Sequence, residues 1–299
     1  MLSYRHGYHA GGFADLLKHA VLSLIIEYLK RKPAPIRFID THAGGGLYDI
    51  GGEMAAKTGE FAQGVGSLEF EGFPAQLQVY GRLIESYLSQ ERYPGSPLIA
   101  ADLLRPQDEL KLFELHSTEA PRLQALFTRD SRIRVSPTNG FLGLLPLLPV
   151  QHARALVLID PSYELGADYT DVVTSLKAAY FRMRNGVFAL WYPVIDGAPH
   201  LPMLDSIKAF VDSKLWQLEL AVRDESIRGE MSSTGMLVIN PPWTLATDLN
   251  EAFRTITHQL PFDSVKFSAE CVLDWYLDIE NSICWRGASD QRGGAITCR

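Results

Sequence analysis

From Leu110 to Ile239 short apolar runs alternate with longer amphipathic stretches, and this alternation restricts the fold more than any other feature. "LKLFELH", "RIRVSPTNG", "ARALVLIDPSY" and "GVFALWYPV" read as strands. "APRLQALFTRD", "FLGLLPLL", "YTDVVTSLKAAYFRM" and "HLPMLDSIKAFVDS" read as the helices that separate or follow them. Strands joined through helices form an open, mostly parallel sheet with helices on both faces. The last pair differs: "LWQLELAV" and "MLVINPPW" are separated by turn residues, so they read as an antiparallel terminal hairpin. The expected fold class is α/β.

Upstream, "ADLLKHAVLSLIIEYLK" has helical spacing, with Leu17, Val21, Leu24 and Tyr28 on one face and Asp15 and His19 on the other. Ile36, Phe38 and Ile39 make a short buried strand that ends at Asp40. About residues 53–105 the pattern is helical and punctuated by proline, which reads as an inserted helical subdomain. Residues 1–285 are expected to form one domain. Residues 286–299 lack periodicity and read as a flexible tail.

Bulk properties exclude some classes. With 299 residues and 46% apolar content the chain can bury one sizeable core. No apolar run reaches the ~18–20 residues of a membrane span. The polar, aromatic opening "MLSYRHGYHAGG" has no signal-peptide character. Cys271, Cys284 and Cys298 show neither zinc spacing nor a disulfide framework, so a cytoplasmic location is expected. A net charge of −7 argues against a protein that coats long nucleic acid. Local basic clusters remain: Arg5, His6, His9, Lys18 and His19, and the arginines of "RDSRIR".

Two strand ends carry candidate cofactor chemistry. "DTHAGGG" places Asp40 and His42 before three glycines, and glycine permits close backbone approach to a ligand at a strand's carboxyl end. Asp40 can accept from an ammonium group; a tight turn that merely needs glycine is the other reading. Glu114, at the end of the next strand, is placed to accept from ribose hydroxyls.

"LVLIDPSYEL" and "LVINPPWTL" compete for the catalytic role: DPSY is one residue away from Asp-Pro-Pro-Tyr, a motif of enzymes that methylate exocyclic amino groups, and NPPW fits the broader consensus of that motif without a mismatch. An adenine amino group is a poor nucleophile, because its lone pair is delocalised into the ring. Methyl transfer to it needs acceptors for both amino hydrogens. Asp160 offers a carboxylate, the Pro161 carbonyl a second acceptor, and Tyr163 a face on which an extruded base can stack. No metal is required. NPPW fits the broader motif better, yet in an antiparallel strand Asn240 would leave at the edge away from Asp40 and Glu114. DPSY is therefore the expected site.

With these residues placed, the sequence resembles the bacterial 23S ribosomal RNA adenine-N(6)-methyltransferases of the RlmJ type. The likeness runs through "MLSYRHGYHAGGFADLLKHAVLSLIIEYLK", "DTHAGGGLYD", "RYPGSPLIAADLLR", "LFELH", "IDPSYE", "ALWYPV" and "GMLVINPPW", from about Met1 to Thr244, and then fades. The resemblance implies a Rossmann-like class I methyltransferase with a helical insertion, S-adenosylmethionine as methyl donor, and an adenine in a 23S RNA hairpin as acceptor. Cofactor contacts carry over onto His19, His42, Ser96, Glu114, Asn139, Gly140 and Asp160, with Asp40, Gly44 and Lys18 beside them. Asp160 also takes the catalytic role with Pro161 and Tyr163. Tyr4, Arg5 and His6 are the RNA candidates, in a segment whose aromatics, cations and glycines suit RNA contact.

Two residues depart from the family pattern. Asn139 stands for an aspartate that accepts from the cofactor's adenine, and Ser162 stands for a second proline, whose fixed φ it lacks. The expected partner is naked or partly assembled 23S RNA, bound by a monomer with marked salt dependence. Three rivals remain open at this point: a DNA adenine-N(6)-methyltransferase, a protein-glutamine methyltransferase acting through NPPW, and a non-catalytic RNA-binding protein on a methyltransferase fold.

Overall fold

The computed structural model describes residues 5–223 and 231–273, with the short paired strands 277–278 and 282–283. Helix α1 (Phe13–Lys30) leads into strand β1 (Ile36–Asp40), and a two-stranded ladder pairs β2 (Leu47–Asp49) with β3 (Arg92–Pro94). Between those strands lie α2 (Glu53–Thr58), α3 (Glu60–Gln63), three short 3-10 turns and α4 (Gln78–Leu88). Helix α5 (Ser96–Leu103) and strand β4 (Glu109–Phe113) follow, then α6 (Glu119–Leu126), β5 (Ile133–Ser136), α7 (Gly140–Leu144) and β6 (Arg154–Ile159). The remaining elements are α8 (Gly166–Arg182), β7 (Val187–Val194), α9 (His200–Lys208), β8 (Leu215–Ala221), β9 (Ser233–Ile239), α10 (Leu245–Ile256) and β10 (Lys266–Leu273).

Eight strands form the main sheet in the order β10-β8-β9-β7-β6-β1-β4-β5. Pairings from β5 through β7 are parallel, and those of β9 with β7 and β8 are antiparallel. The chain runs outward from β1 to β5 and then returns to β6, so β1 and β6 flank the reversal of strand order where ligands bind in open α/β sheets. The alternation of strands and helices made this architecture legible. The late hairpin is present but is not terminal: β10 adds a further antiparallel strand outside β8, after α10.

The central strands are buried on both faces, which is why their sequences are apolar without alternation. Phe38, Leu156 and Leu158 pack into one layer with α1, α5 and α10; Ile39, Val157 and Ile159 pack into the other with α7, α8 and α9. A one-residue slip would exchange the two layers, so register is firmly set.

Two differences from the sequence reading affect the site. Helix α1 was expected to be amphipathic, yet Asp15, Lys18, His19 and Ser23 are as buried as its apolar face. Its polar side is covered because the N-terminal segment folds back over it. The stretch read as a helical insertion, about residues 53–105, also holds β3, which pairs with β2 just ahead of it, and its last helix, α5, packs on α1, β1 and β4 as the crossover between those strands.

Candidate active site

The carboxyl ends of β1, β4, β5 and β6 open into a cavity of about 270 Å³. His42, Gly44, Glu114, Asn139, Gly140 and Asp160 all line it, as do Lys18 and His19 of α1 and Ser96 of α5. These are nine of the ten residues expected to hold a cofactor. The glycine-rich turn is shaped by need: Gly44 and Gly46 have φ of +63° and +80°, conformations costly for other residues. The Gly44 amide donates to Glu114 Oε2 at 2.8 Å, and the His116 amide donates to Oε1 at 2.6 Å. Burial still raises the Glu114 carboxyl above its ordinary range.

Asp40 is the exception. It is fully buried and does not line the cavity. Ser96 Oγ donates to its Oδ2 at 2.7 Å, and the His42 amide to its Oδ1 at 3.2 Å. Burial pushes this carboxyl up to about 7, against the lowering effect of the Ser96 hydrogen bond. The expected direct contact with an ammonium group is therefore corrected. Asp40 braces Ser96 and the β1 turn from below, because it is the last buried residue of its strand and not the first residue of the turn.

His42 shares a hydrogen bond with Thr41 Oγ1 at 2.8 Å, and its ring packs edge-on against Phe141 at 4.7 Å. Its imidazole is pushed down to about 3 by burial, so it is neutral. His19 is fully buried; its Nδ1 pairs with Tyr93 Oη at 2.7 Å, and its Nε2 has no hydrogen-bond partner. Burial pushes it to about 3 as well. A neutral histidine with an unsatisfied buried nitrogen at a cavity wall calls for a ligand to complete it. Asn139 caps α7, its side-chain oxygen accepting from the Leu142 amide at 3.1 Å. That oxygen serves the helix as well as any cofactor.

A second, larger cavity of about 640 Å³ lies beyond Asp160. Trp191, Pro193, Arg223, His9 and Glu60 are among its walls. His6, Lys18, Asp160 and Ser162 line both cavities and so form the partition between them. Lys18 Nζ donates to Asp160 Oδ2 at 2.6 Å and lies 2.9 Å from Asp15 Oδ1. Burial alone would favour the neutral amine, but the two carboxylates outweigh it and push the Lys18 pKa up. Burial raises the Asp160 carboxyl, against the lowering effect of Lys18.

Tyr163 is not the open stacking face that was expected. It is 8% exposed, its hydroxyl donates to the Trp191 carbonyl at 2.8 Å, and its ring packs against Tyr169 and Trp191. It holds a φ of +53°, a turn conformation that costs a bulky residue ~1 kcal/mol or more and that this packing sustains. Tyr163 still lines the second cavity, but Trp191, half-buried in the same wall, presents the more accessible aromatic ring there. Arg5 is exposed and lines neither cavity, and Tyr4 lies outside the described residues, as do Cys284, Cys298 and the expected tail.

NPPW is at the other end of the sheet. The β7–β9 register sets Ile239 beside Phe188, near the start of β7, and Asn240 Nδ2 donates to the Arg184 and Gly186 carbonyls, both at 2.7 Å. Asn240 is thus a turn residue at the amino edge of the parallel strands, away from both cavities.

The model of the family described as "Ribosomal RNA large subunit methyltransferase D, RlmJ" matches residues 33–273. The chain belongs to this family. Among its relatives, "Ribosomal RNA large subunit methyltransferase J" of Escherichia coli is 45% identical over 84% of this chain and 91% of that one. The protein of the same name from Haemophilus influenzae is 42% identical over 87% and 94%. A crystal structure of a Legionella pneumophila protein superposes with a TM-score of 0.82 at 33% identity, covering 88% of this chain and 98% of that one. The match continues past Thr244, where the resemblance was expected to fade, and takes in α10 and β10.

Sequence reasoning missed Asp15, Tyr93 and Trp191. Asp15 was legible, because it falls one turn before Lys18 and His19 on the same face of α1. Tyr93 was not, since its meeting with His19 depends on β3 folding back onto β2.

Proposed function

We propose that this methyltransferase transfers a methyl group from S-adenosylmethionine to the exocyclic amino group of an adenine in a 23S ribosomal RNA hairpin. The observation that carries the reading is that Asp160 and Lys18 stand in the partition between two cavities. A transfer reaction needs donor and acceptor to meet across one set of groups.

The residues of the smaller cavity fit the donor. Glu114 accepts from hydroxyls, His19 has an unsatisfied buried nitrogen, and the glycine turn admits close approach. When bound, the cofactor supplies an activated methyl on a good leaving group. The chain supplies positioning and charge. Asp160 accepts from one amino hydrogen and the Pro161 carbonyl from the other, so that the nitrogen presents its lone pair. Trp191 offers the stacking surface in the larger cavity, the role first assigned to Tyr163. Tyr163 fixes the loop through the Trp191 carbonyl. Tyr4, Arg5 and His6 carry the aromatic and basic chemistry that suits RNA contact, and the protein acts in the cytoplasm as a monomer on naked or partly assembled RNA.

The test is nucleoside analysis of 23S RNA after incubation with the protein and methyl-labelled cofactor. Label in N(6)-methyladenosine from RNA, and none in duplex DNA, is expected. Label in DNA alone, or in no nucleoside, would refute the assignment.

A further inference from the structure

Asp15 has no part in the steps above, yet it is a buried acid with several charged and polar partners. It is 1% exposed in the first turn of α1. Its Oδ2 accepts from the Gly11 amide at 2.9 Å and meets His6 Nε2 at 2.8 Å. Its Oδ1 lies 2.9 Å from Lys18 Nζ and 3.9 Å from His19 Nε2. Lys18 in turn reaches Asp160 at 2.6 Å. We propose that Asp15 is a positioning residue for methyl transfer: it shares the Lys18 ammonium with Asp160, so that Asp160 keeps a net negative charge toward the acceptor nitrogen. This rests on Asp160 being the catalytic carboxylate.

Charge bookkeeping explains why a second acid is needed. Lys18 and Asp160 alone would form a neutral, closed pair, and the carboxylate would be spent on its lysine. With Asp15 the buried group holds two carboxylates against the Lys18 ammonium, with His6 bonded to Asp15 Oδ2; when that imidazole is neutral the group carries −1. As the nitrogen–carbon bond forms and the carbon–sulfur bond breaks, positive charge leaves sulfur and appears on the acceptor nitrogen, which then loses its surplus proton to water; a fixed negative charge beside that nitrogen favours the transition state over the ground state. Asp15 also lines the larger cavity, but its oxygens are engaged by His6, the Gly11 amide and Lys18, and it works through Lys18. Its bond to the Gly11 amide also ties the N-terminal segment to the same group.

A double-mutant cycle on turnover tests this, using Asp15→Asn, Lys18→Met and the double variant, with a transcribed 23S RNA fragment as acceptor. The expectation for Asp15→Asn is a kcat lower by ~30-fold or more, with KM for RNA and Kd for S-adenosylmethionine within ~3-fold of the parent. In the Lys18→Met background the same change should alter kcat by less than ~3-fold, because the residue it acts through is gone. Losses that multiply across the cycle, or a loss confined to KM, would overturn the proposal. If Asp15→Asn alone does not fold, the double variant still tests the coupling. Its kcat against Lys18→Met then decides: equality supports the proposal, and a further ~10-fold loss overturns it. An Asp160→Asn variant run in parallel separates the failures. Full turnover in that variant sinks the catalytic assignment itself, whereas its inactivity beside an additive cycle sinks only the role of Asp15.

Discussion

Replacing Gly140 by alanine adds one methyl where α7 meets the end of β1. Built on the present backbone, that Cβ would lie 2.6 Å from the Thr41 carbonyl carbon and 2.7 Å from Thr41 Cα, with the carbonyl oxygen nearer still. Carbon atoms pack at about 3.5–4.0 Å, so α7 or the β1 turn must move by about 1 Å. Both are backbone, and neither can yield by rotating a side chain. Gly140 and Thr41 also face each other across the cavity wall, so the movement falls on the site. Overpacking of this kind costs ~1–3 kcal/mol. About 1.4 kcal/mol is tenfold in an equilibrium constant, so Gly140→Ala should weaken S-adenosylmethionine binding by ~10-fold or more and lower the melting temperature by a few degrees. Calorimetric titration with the cofactor and a thermal melt measure both. Parental affinity in a stably folded Gly140→Ala variant would refute the placement of α7 as a wall of the cofactor cavity.

Asp40 gives a pH signature. Its carboxyl sits at about 7 in the fold against an ordinary 3.8, so between those values the folded state holds a proton that the unfolded chain has released. Stability is therefore lost as pH rises through that window. Asp40→Asn should remove the loss, and its melting temperature relative to the parent should improve by several degrees from pH 5 to pH 8; a constant difference would refute it. Asn240→Ala should cost ~1–3 kcal/mol, through the unsatisfied Arg184 and Gly186 carbonyls, while turnover stays parental. Abolished activity in a folded Asn240→Ala variant would return the catalytic role to NPPW. Ser162→Pro should raise turnover by restricting the loop before Tyr163, whose φ is +53°. Unchanged kcat would show that the Tyr163 contacts already hold the loop.

The sheet was readable because its strands are nearly uninterrupted apolar runs, and periodicity reports burial directly. The strand ends Glu114 and Asp160 followed from it, since a parallel sheet puts every strand's carboxyl end on one edge. The direction of β9, and with it the exclusion of NPPW, followed from the short connection to β8. What stayed hidden depends on tertiary contacts. Tyr163 looked like an exposed ring, but its burial comes from Tyr169 in α8 and Trp191 in β7, contacts set by how the loop after β6 turns back and not by periodicity. Asp40 looked like a ligand because strand-end acids often are, and only Ser96, from α5, shows that its carboxylate is already engaged. Strand β10 carries polar residues at Lys266, Ser268 and Glu270, as suits an edge strand, and so lacked the continuous apolar signal of the central ones.

The measurement that bears most directly on the account is single-turnover methylation of a 23S RNA fragment by Asp160→Asn, with cofactor binding followed in the same samples. Asparagine preserves the shape of the partition but removes the carboxylate between the two cavities. The account predicts S-adenosylmethionine affinity within ~10-fold of the parent and a methyl-transfer rate lower by ~10³-fold or more. Transfer at the parental rate would contradict it.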